Sequence, residues 1–184
     1  MRWEVLTSEL RYRCGIFAVR CDASRSTGSG QEHDFHVIET NDWVNVVPLT
    51  PDRQVVMVRQ FRHGIRELTL EVPAGIIDAA DESPAVAARR ELREETGYGC
   101  DTLVPLGVVH PNPAIMNNRC HMFAAHDVTV EGPPQWDKTE EIIVETIPLA
   151  RIPDLIRSGG ISNALTLVAF QLLQLADDAT LPTR

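Results

Sequence analysis

The 184-residue chain is long enough for one domain with a sizeable core, and its composition, 43% hydrophobic and 23% charged, is that of an ordinary soluble globular protein. A net charge of −9 with a single lysine, Lys138, argues against a general nucleic-acid surface, which needs clustered Lys and Arg. No apolar run is long enough to span a membrane, the opening Met1-Arg2-Trp3-Glu4 lacks the pattern of a signal peptide, and Cys14, Cys21, Cys100 and Cys120 form no CxxC pair; a cytoplasmic protein with reduced thiols and no zinc site is expected.

Tyr12 to Val19 and Phe35 to Thr40 carry the β-branched and aromatic residues of a hairpin, and the Ser-, Gly- and charge-rich stretch Cys21 to His33 reads as the loop between its strands. Trp43 to Leu49, a Pro51-Asp52 turn and Gln54 to Phe61 suggest a second hairpin. Arg66 to Val72 alternates, with Leu68, Leu70 and Val72 on one side and Glu67, Thr69 and Glu71 on the other, the period of a half-buried strand that Pro73-Ala74-Gly75 ends. Ser83 is placed to cap a helix that has Pro84 in its first turn and runs to about Thr96; Gly97 stands where a left-handed residue closes a helix. Further strands are expected at Leu103 to Val109, Arg119 to Ala125 and Ile142 to Ile147. Helices are expected at Arg151 to Ser158 and Ser162 to Ala176, the second with a stripe of Leu165, Val168, Leu172 and Leu175. Strands and helices mixed in this way give an α/β or α+β class. Residues 1–40 read as an N-terminal β-hairpin subdomain, 41–176 as the main domain and 177–184 as a C-terminal tail.

The helix after Ser83 is the informative element. Glu91, Glu94 and Glu95 sit at i, i+3 and i+4 and share a face, while Ala85, Ala88 and Leu92 form an adjacent face suited to packing on a sheet. Three like charges on one face destabilise an isolated helix, and a hard divalent cation such as Mg²⁺, which prefers carboxylate oxygens, reverses that. Taken alone, Arg-Glu-Leu-Arg-Glu-Glu would favour a solvated helix laced by salt bridges. Its flanks change the reading. Gly75, Glu82, Arg90-Glu91-Leu92, Glu94-Glu95, Gly97 and Tyr98 match the Nudix box in order, and the chain resembles the Nudix hydrolase family. There is one departure. Six residues separate Gly75 from Glu82, one more than the family usually has, and Asp81 holds the strictly spaced position. Either a one-residue bulge precedes the helix or Asp81 replaces the glutamate.

The resemblance implies an α/β/α sandwich, a mixed sheet between helices, with an N-terminal antiparallel β subdomain. It also implies Mg²⁺, or Mn²⁺ in its place, held by Glu91, Glu94, Glu95 and the carbonyl of Ala74, with an Arg90–Glu82 ion pair orienting the helix beside the box glycines Gly75 and Gly97. Metal bridging a diphosphate neutralises its charge and activates a water. Catalytic roles would fall to Glu94 and Glu95 and to a loop glutamate, Glu140 ahead of Glu141. Outside the box, Asp42 to Val46, Val58 to Arg62 and Leu70 to Gly75 resemble the ADP-ribose pyrophosphatase, or nucleoside diphosphate sugar hydrolase, branch. Pro113 follows Gly97 at the distance typical of that branch. Asn112-Pro113-Ala114 and Asn117-Asn118 stand where many of its members have Ser-Pro-Gly and a later glutamate, so the preferred nucleotide sugar stays open. By resemblance Arg62 meets the diphosphate. Arg59, three residues away on the same strand, faces the other side, where a surface salt bridge suits it equally. Trp43 would stack on a base if it faces a cleft, although the core suits a strand tryptophan better.

The expected reaction is metal-dependent cleavage of the diphosphate bond of a nucleoside diphosphate sugar such as ADP-ribose, giving a nucleoside monophosphate and a sugar phosphate. The competing readings are another substrate, such as GDP-mannose or a dinucleoside or coenzyme A diphosphate, and a non-catalytic nucleotide-binding module. The presence of all three box glutamates favours catalysis. The N-terminal hairpin has few residues for a core of its own, so a homodimer formed through it is expected. No nucleic-acid or membrane partner is.

Overall fold

Residues 2–138 and 141–179 are described by the computed structural model, and they divide into two units. The first ends at Asp42 and also takes in His110–Arg119. It is built on three antiparallel strands, β1 (Trp3–Arg13), β2 (Ala18–Ser26) and β3 (Glu32–Glu39), in the order β1-β2-β3. The central strand is the covered one: Ala18, Cys21, Asp22, Ser24 and Ser26 are buried, whereas every residue of β1 is exposed. The expected hairpin is corrected here. Cys21 to Ser26 is strand rather than loop, and Tyr12 to Val19 contains the turn, closed by the Cys14 N–H donating to the Phe17 carbonyl at 2.9 Å. A polar sequence holds as a strand because its buried groups find partners: Asp22 accepts from Ser8 Oγ at 2.6 Å and from Arg20 Nε at 3.0 Å. The outlying segment is tied in by the Ile38 N–H donating to the Ile115 carbonyl at 2.7 Å and by the Arg119 N–H donating to the Asp42 carboxylate at 2.7 Å.

The second unit contains β4 (Trp43–Leu49), β5 (Gln54–Arg62), β6 (Glu67–Glu71), β7 (Ala74–Ile76), α1 (Pro84–Thr96), β8 (Tyr98–Gly99), β9 (Thr102–Val109), β10 (Cys120–His126), β11 (Thr129–Val130) and β12 (Ile142–Pro148), then α2 (Ile152–Arg157) and α3 (Ala164–Ala179). Its seven-stranded sheet runs β12-β5-β4-β10-β9, with β6 on β5 and β7 on β4. The β4–β10 pair is parallel and the other pairings are antiparallel, so the sheet is mixed. Adjacent residues of β4 point to opposite faces, as a period of two requires. Val44 and Val46 pack with Ala87, Ala88 and Leu92 of α1, whereas Val47 packs with Met57, Ile152, Ala169, Phe170 and Leu173 on the side of α2 and α3. The sheet is thus sandwiched between helices, the α/β architecture expected. On α3 the buried stripe is Thr166, Ala169, Phe170 and Leu173, at i, i+3, i+4 and i+7; Leu175 is exposed, so the expected stripe is rotated, with small Ala169 and Thr166 toward the sheet.

Capping fixes where α1 begins and ends. The Ser83 side chain accepts the Val86 N–H at 3.3 Å, and Gly97 closes the helix at φ 75°. A side chain at Gly97 would be strained and would overlap the Gly132 carbonyl. β6 departs from simple alternation: Leu68 is exposed, while Thr69 and Glu71, assigned to solvent by the pattern, are buried. No helix among the described residues is long and apolar enough to cross a membrane.

Candidate active site

The short strand β7 pairs with β4, Ala74 opposite Asn45 and Gly75 opposite Val44, and this brings it under α1. Glu95, 3% exposed, accepts the Ala74 N–H at 3.0 Å. The Glu91 carboxylate lies so close over Gly75 that a Cβ there would overlap it, which is why this position is a glycine. Arg90 Nη1 donates to Glu91 Oε1 at 2.8 Å and to Glu94 Oε2 at 2.9 Å, so two carboxylates converge on one nitrogen; Nη2 donates to the Ile76 carbonyl at 3.0 Å. The three helix glutamates are therefore gathered about Ala74–Ile76.

Arg90 is anchored from its other side by Asp81, Nε to Oδ1 at 3.2 Å and Nη2 to Oδ2 at 2.8 Å. The hydrogen bond to Asp81 is the main reason the guanidinium sits well above its ordinary value, and the same bond holds the Asp81 carboxyl below its own. Glu82 is exposed, so the expected Arg90–Glu82 pair is corrected to Arg90–Asp81. The additional residue is absorbed in a turn in which the Asp81 N–H donates to the Asp78 carbonyl at 3.0 Å and the Asp78 N–H donates to Asp81 Oδ2 at 2.8 Å. That turn aims Asp81 inward and leaves Glu82 facing water.

Beside this cluster is a cavity of ≈ 330 Å³ lined by Trp43, Asn45, Arg62, Glu71, Asn163 and Leu165, and by all three residues of β7. Arg62 and Trp43 thus reach the cavity. Arg62 also donates to the buried Glu71, Nε to Oε1 at 2.8 Å and Nη2 to Oε2 at 2.7 Å. Arg59 is turned the other way and donates to Glu145 Oε1 at 2.6 Å, with both side chains about one-third exposed, 34% and 33%. Pro113 is exposed in the segment His110–Arg119, which belongs to the first unit. Glu141 is exposed just ahead of β12, and Glu140 lies outside the described residues.

A NUDIX domain model matches residues 40–162, a span that contains the whole of this cluster and all but two of the cavity residues named above. The chain belongs to the Nudix family. Among its relatives is the ADP-ribose pyrophosphatase of Bacillus subtilis (strain 168), 29% identical over 150 residues, 81% of this chain and 80% of that one. The GDP-mannose pyrophosphatase of Salmonella typhimurium (strain LT2) is 28% identical, over 83% of this chain and 84% of its own. A crystal structure of an ADP compounds hydrolase superposes with a TM-score of 0.86 at 25% identity, covering 97% of this chain and 96% of that chain.

Within the Nudix helix the donor set is all carboxylate oxygen, the chemistry a hard divalent cation prefers. Among the described residues no three such side chains are already assembled as a metal cluster. The hydrogen bonds account for this, since Glu91 and Glu94 turn to Arg90 and Glu95 turns to the Ala74 N–H. Two of these oxygens already surround a single cationic nitrogen, so the residues fit a cation at this place. Three site features escaped sequence reasoning. Glu71 was hidden because alternation put it on the solvent side. Asn163, whose Oδ1 accepts the Thr166 N–H at 2.9 Å at the start of α3, was legible only as a cap. The third is the segment before Lys138, which docks on the end of α1: the Gln135 N–H donates to the Glu94 carbonyl at 2.8 Å and Trp136 Nε1 to the Glu95 carbonyl at 2.9 Å. These bonds satisfy carbonyls that a helix end leaves unpaired, and no local motif announces them.

Proposed function

We propose that this Nudix hydrolase cleaves the diphosphate bond of nucleoside diphosphate sugars, ADP-ribose among them, releasing a nucleoside monophosphate and a sugar phosphate with the help of Mg²⁺, or Mn²⁺ in its place. The observation that carries this reading is the gathering of Glu91, Glu94 and Glu95 about Ala74–Ile76, which also lines the cavity. Glu91, Glu94 and Glu95 would hold the cation, with the Ala74 carbonyl adding an oxygen. The cation would neutralise the phosphates and acidify the attacking water. Arg90, anchored on Asp81, keeps the carboxylates together; Arg62 offers a guanidinium suited to phosphate oxygens. Trp43, Ile76 and Leu165 give the cavity apolar walls that suit a base. Proton transfer falls to Glu94 or Glu95, or to Glu140 or Glu141, which precede β12 in sequence; Pro113 is the remaining candidate for substrate contact.

GDP-mannose is the second reading, favoured by the Salmonella relative and by Asn112-Pro113-Ala114 in place of Ser-Pro-Gly. We assign residues 41–176 to catalysis and 1–40 to a homodimer contact; the expected tail, 177–184, is corrected in part, since residues 177–179 end α3 and the rest lie outside the described residues. Trp3, Val5, Leu10 and Tyr12 are all exposed on β1, and such an apolar set invites a second chain. A reducing, cytoplasmic setting suits the four free cysteines.

The test is a panel of ADP-ribose, GDP-mannose, a dinucleoside polyphosphate and coenzyme A, with Mg²⁺ and with EDTA, read by product identity, on protein whose mass is measured by sedimentation. AMP and ribose phosphate from ADP-ribose with Mg²⁺ alone, made by a dimer, is the expected result. Cleavage of no nucleotide sugar overturns the function, and a monomer at micromolar concentration overturns the dimer.

A further inference from the structure

Glu71 is 1% exposed at the end of β6, on the side that the sequence pattern gives to water. Its carboxylate accepts two parallel bonds from Arg62 and one from Thr69 Oγ1 at 2.5 Å. Burial pushes its carboxyl up, but the bonds from Arg62 and Thr69 and the charge of Arg62 more than offset that, leaving it below the ordinary glutamate value. One carboxylate thus joins β5 to β6, with Asn163 on the same cavity wall. Burying an ion pair is a poor way to stabilise a sheet, since apolar residues of similar volume commonly do as well. Its location is more telling. Arg62, Glu71 and Asn163 all line the cavity, and the Arg62 side chain remains 42% exposed beside a carboxylate that is almost fully enclosed, at 2%.

We propose that Glu71 is a positioning residue for nucleotide-sugar binding. It fixes the plane of the Arg62 guanidinium at the cavity wall, so the orientation of that cation is set before the ligand arrives. This rests on the cavity being the nucleotide-sugar site. A guanidinium held by a two-point fork loses less freedom on meeting a ligand than one on a loose side chain, and the gain appears in affinity. Glu71 acts through Arg62, so loss of its charge weakens binding and leaves the chemical step nearly intact.

The experiment measures KM and kcat with Mg²⁺, ADP-ribose binding by calorimetry in EDTA, and thermal melting, for wild type, Glu71→Gln, Thr69→Val, Arg62→Lys and the double variant Glu71→Gln/Arg62→Lys. Glu71→Gln is expected to raise KM and Kd about tenfold with kcat changed less than about threefold, and the double variant to bind no worse than Arg62→Lys alone, as residues acting in one chain do. A lower melting temperature with unchanged KM and Kd makes Glu71 merely structural and overturns the proposal. So does a double variant whose losses multiply. Should Glu71→Gln fail to fold, Thr69→Val loosens the same carboxylate with its charge intact; a KM rise of about two- to threefold supports the proposal and an unchanged KM overturns it. Wild-type protein that neither binds nor cleaves ADP-ribose removes the functional reading itself, a different outcome from unaltered variants of an active enzyme.

Discussion

Arg90 divides its guanidinium among Asp81, Glu91 and Glu94, whereas Arg62 sends two parallel bonds into one enclosed carboxylate, Glu71. The carboxylates that Arg90 shares differ in burial: the Glu94 side chain is 40% exposed, that of Glu91 12% and that of Asp81 5%. A bond to a half-exposed carboxylate is worth little and exchanges readily, while one to an enclosed carboxylate is costly to break. If a cation takes Glu91 and Glu94 from Arg90, as proposed, the arginine keeps its two bonds to Asp81. On the proposed metal binding, the first network gives up bonds while the second keeps them.

A large effect on the first of these networks is expected at Gly75. Gly75→Ala puts a methyl group into the Glu91 carboxylate, the movable end of a side chain, so the fold should survive while an oxygen proposed to hold the metal is displaced. A fall in kcat/KM of about 10²-fold with a nearly unchanged melt is expected, the scale of losing one preorganised electrostatic element. Parent-like kinetics would separate Glu91 from the chemistry.

A smaller effect is expected at Asp81. Asp81→Asn leaves Arg90 short of its enclosed anchor and should cost about 1–3 kcal/mol in urea unfolding, whereas Glu82→Gln, on an exposed side chain, should stay within about 0.5 kcal/mol. Equal costs would mean that the anchor is misassigned. The pH dependence sharpens this. Hydrogen bonding to Arg90 lowers the folded-state value of Asp81, so its contribution is complete above the ordinary aspartate value of 3.8 and lost as pH falls through the lower folded value. The stability gap between wild type and Asp81→Asn should therefore narrow in acid and persist at neutral pH.

Much of the second unit was legible because the deciding signals are local. Ser83, Pro84 and Gly97 bound α1 through caps and a positive φ, and the spacing of Glu91, Glu94 and Glu95 follows from helix geometry alone. The alternation that located β6 misplaced Glu71, because a period of two assigns faces but does not say which face meets water. An arginine nine residues away turns the polar face into a buried one. The choice between Asp81 and Glu82 depends on how a four-residue turn folds, and the residue count left it open. In the first unit, Asp22 and Ser24 resemble loop residues in sequence, and only pairing with both neighbouring strands makes them strand.

If the helix carboxylates serve catalysis rather than the fold, removing either charge should leave the melt nearly unchanged and cut the rate. Glu94→Gln and Glu95→Gln, each assayed with ADP-ribose at saturating Mg²⁺ beside a thermal melt, test it most directly. The account predicts folded proteins whose kcat falls by about 10²–10³-fold. Two variants that melt normally and turn over ADP-ribose at the parent rate would contradict it.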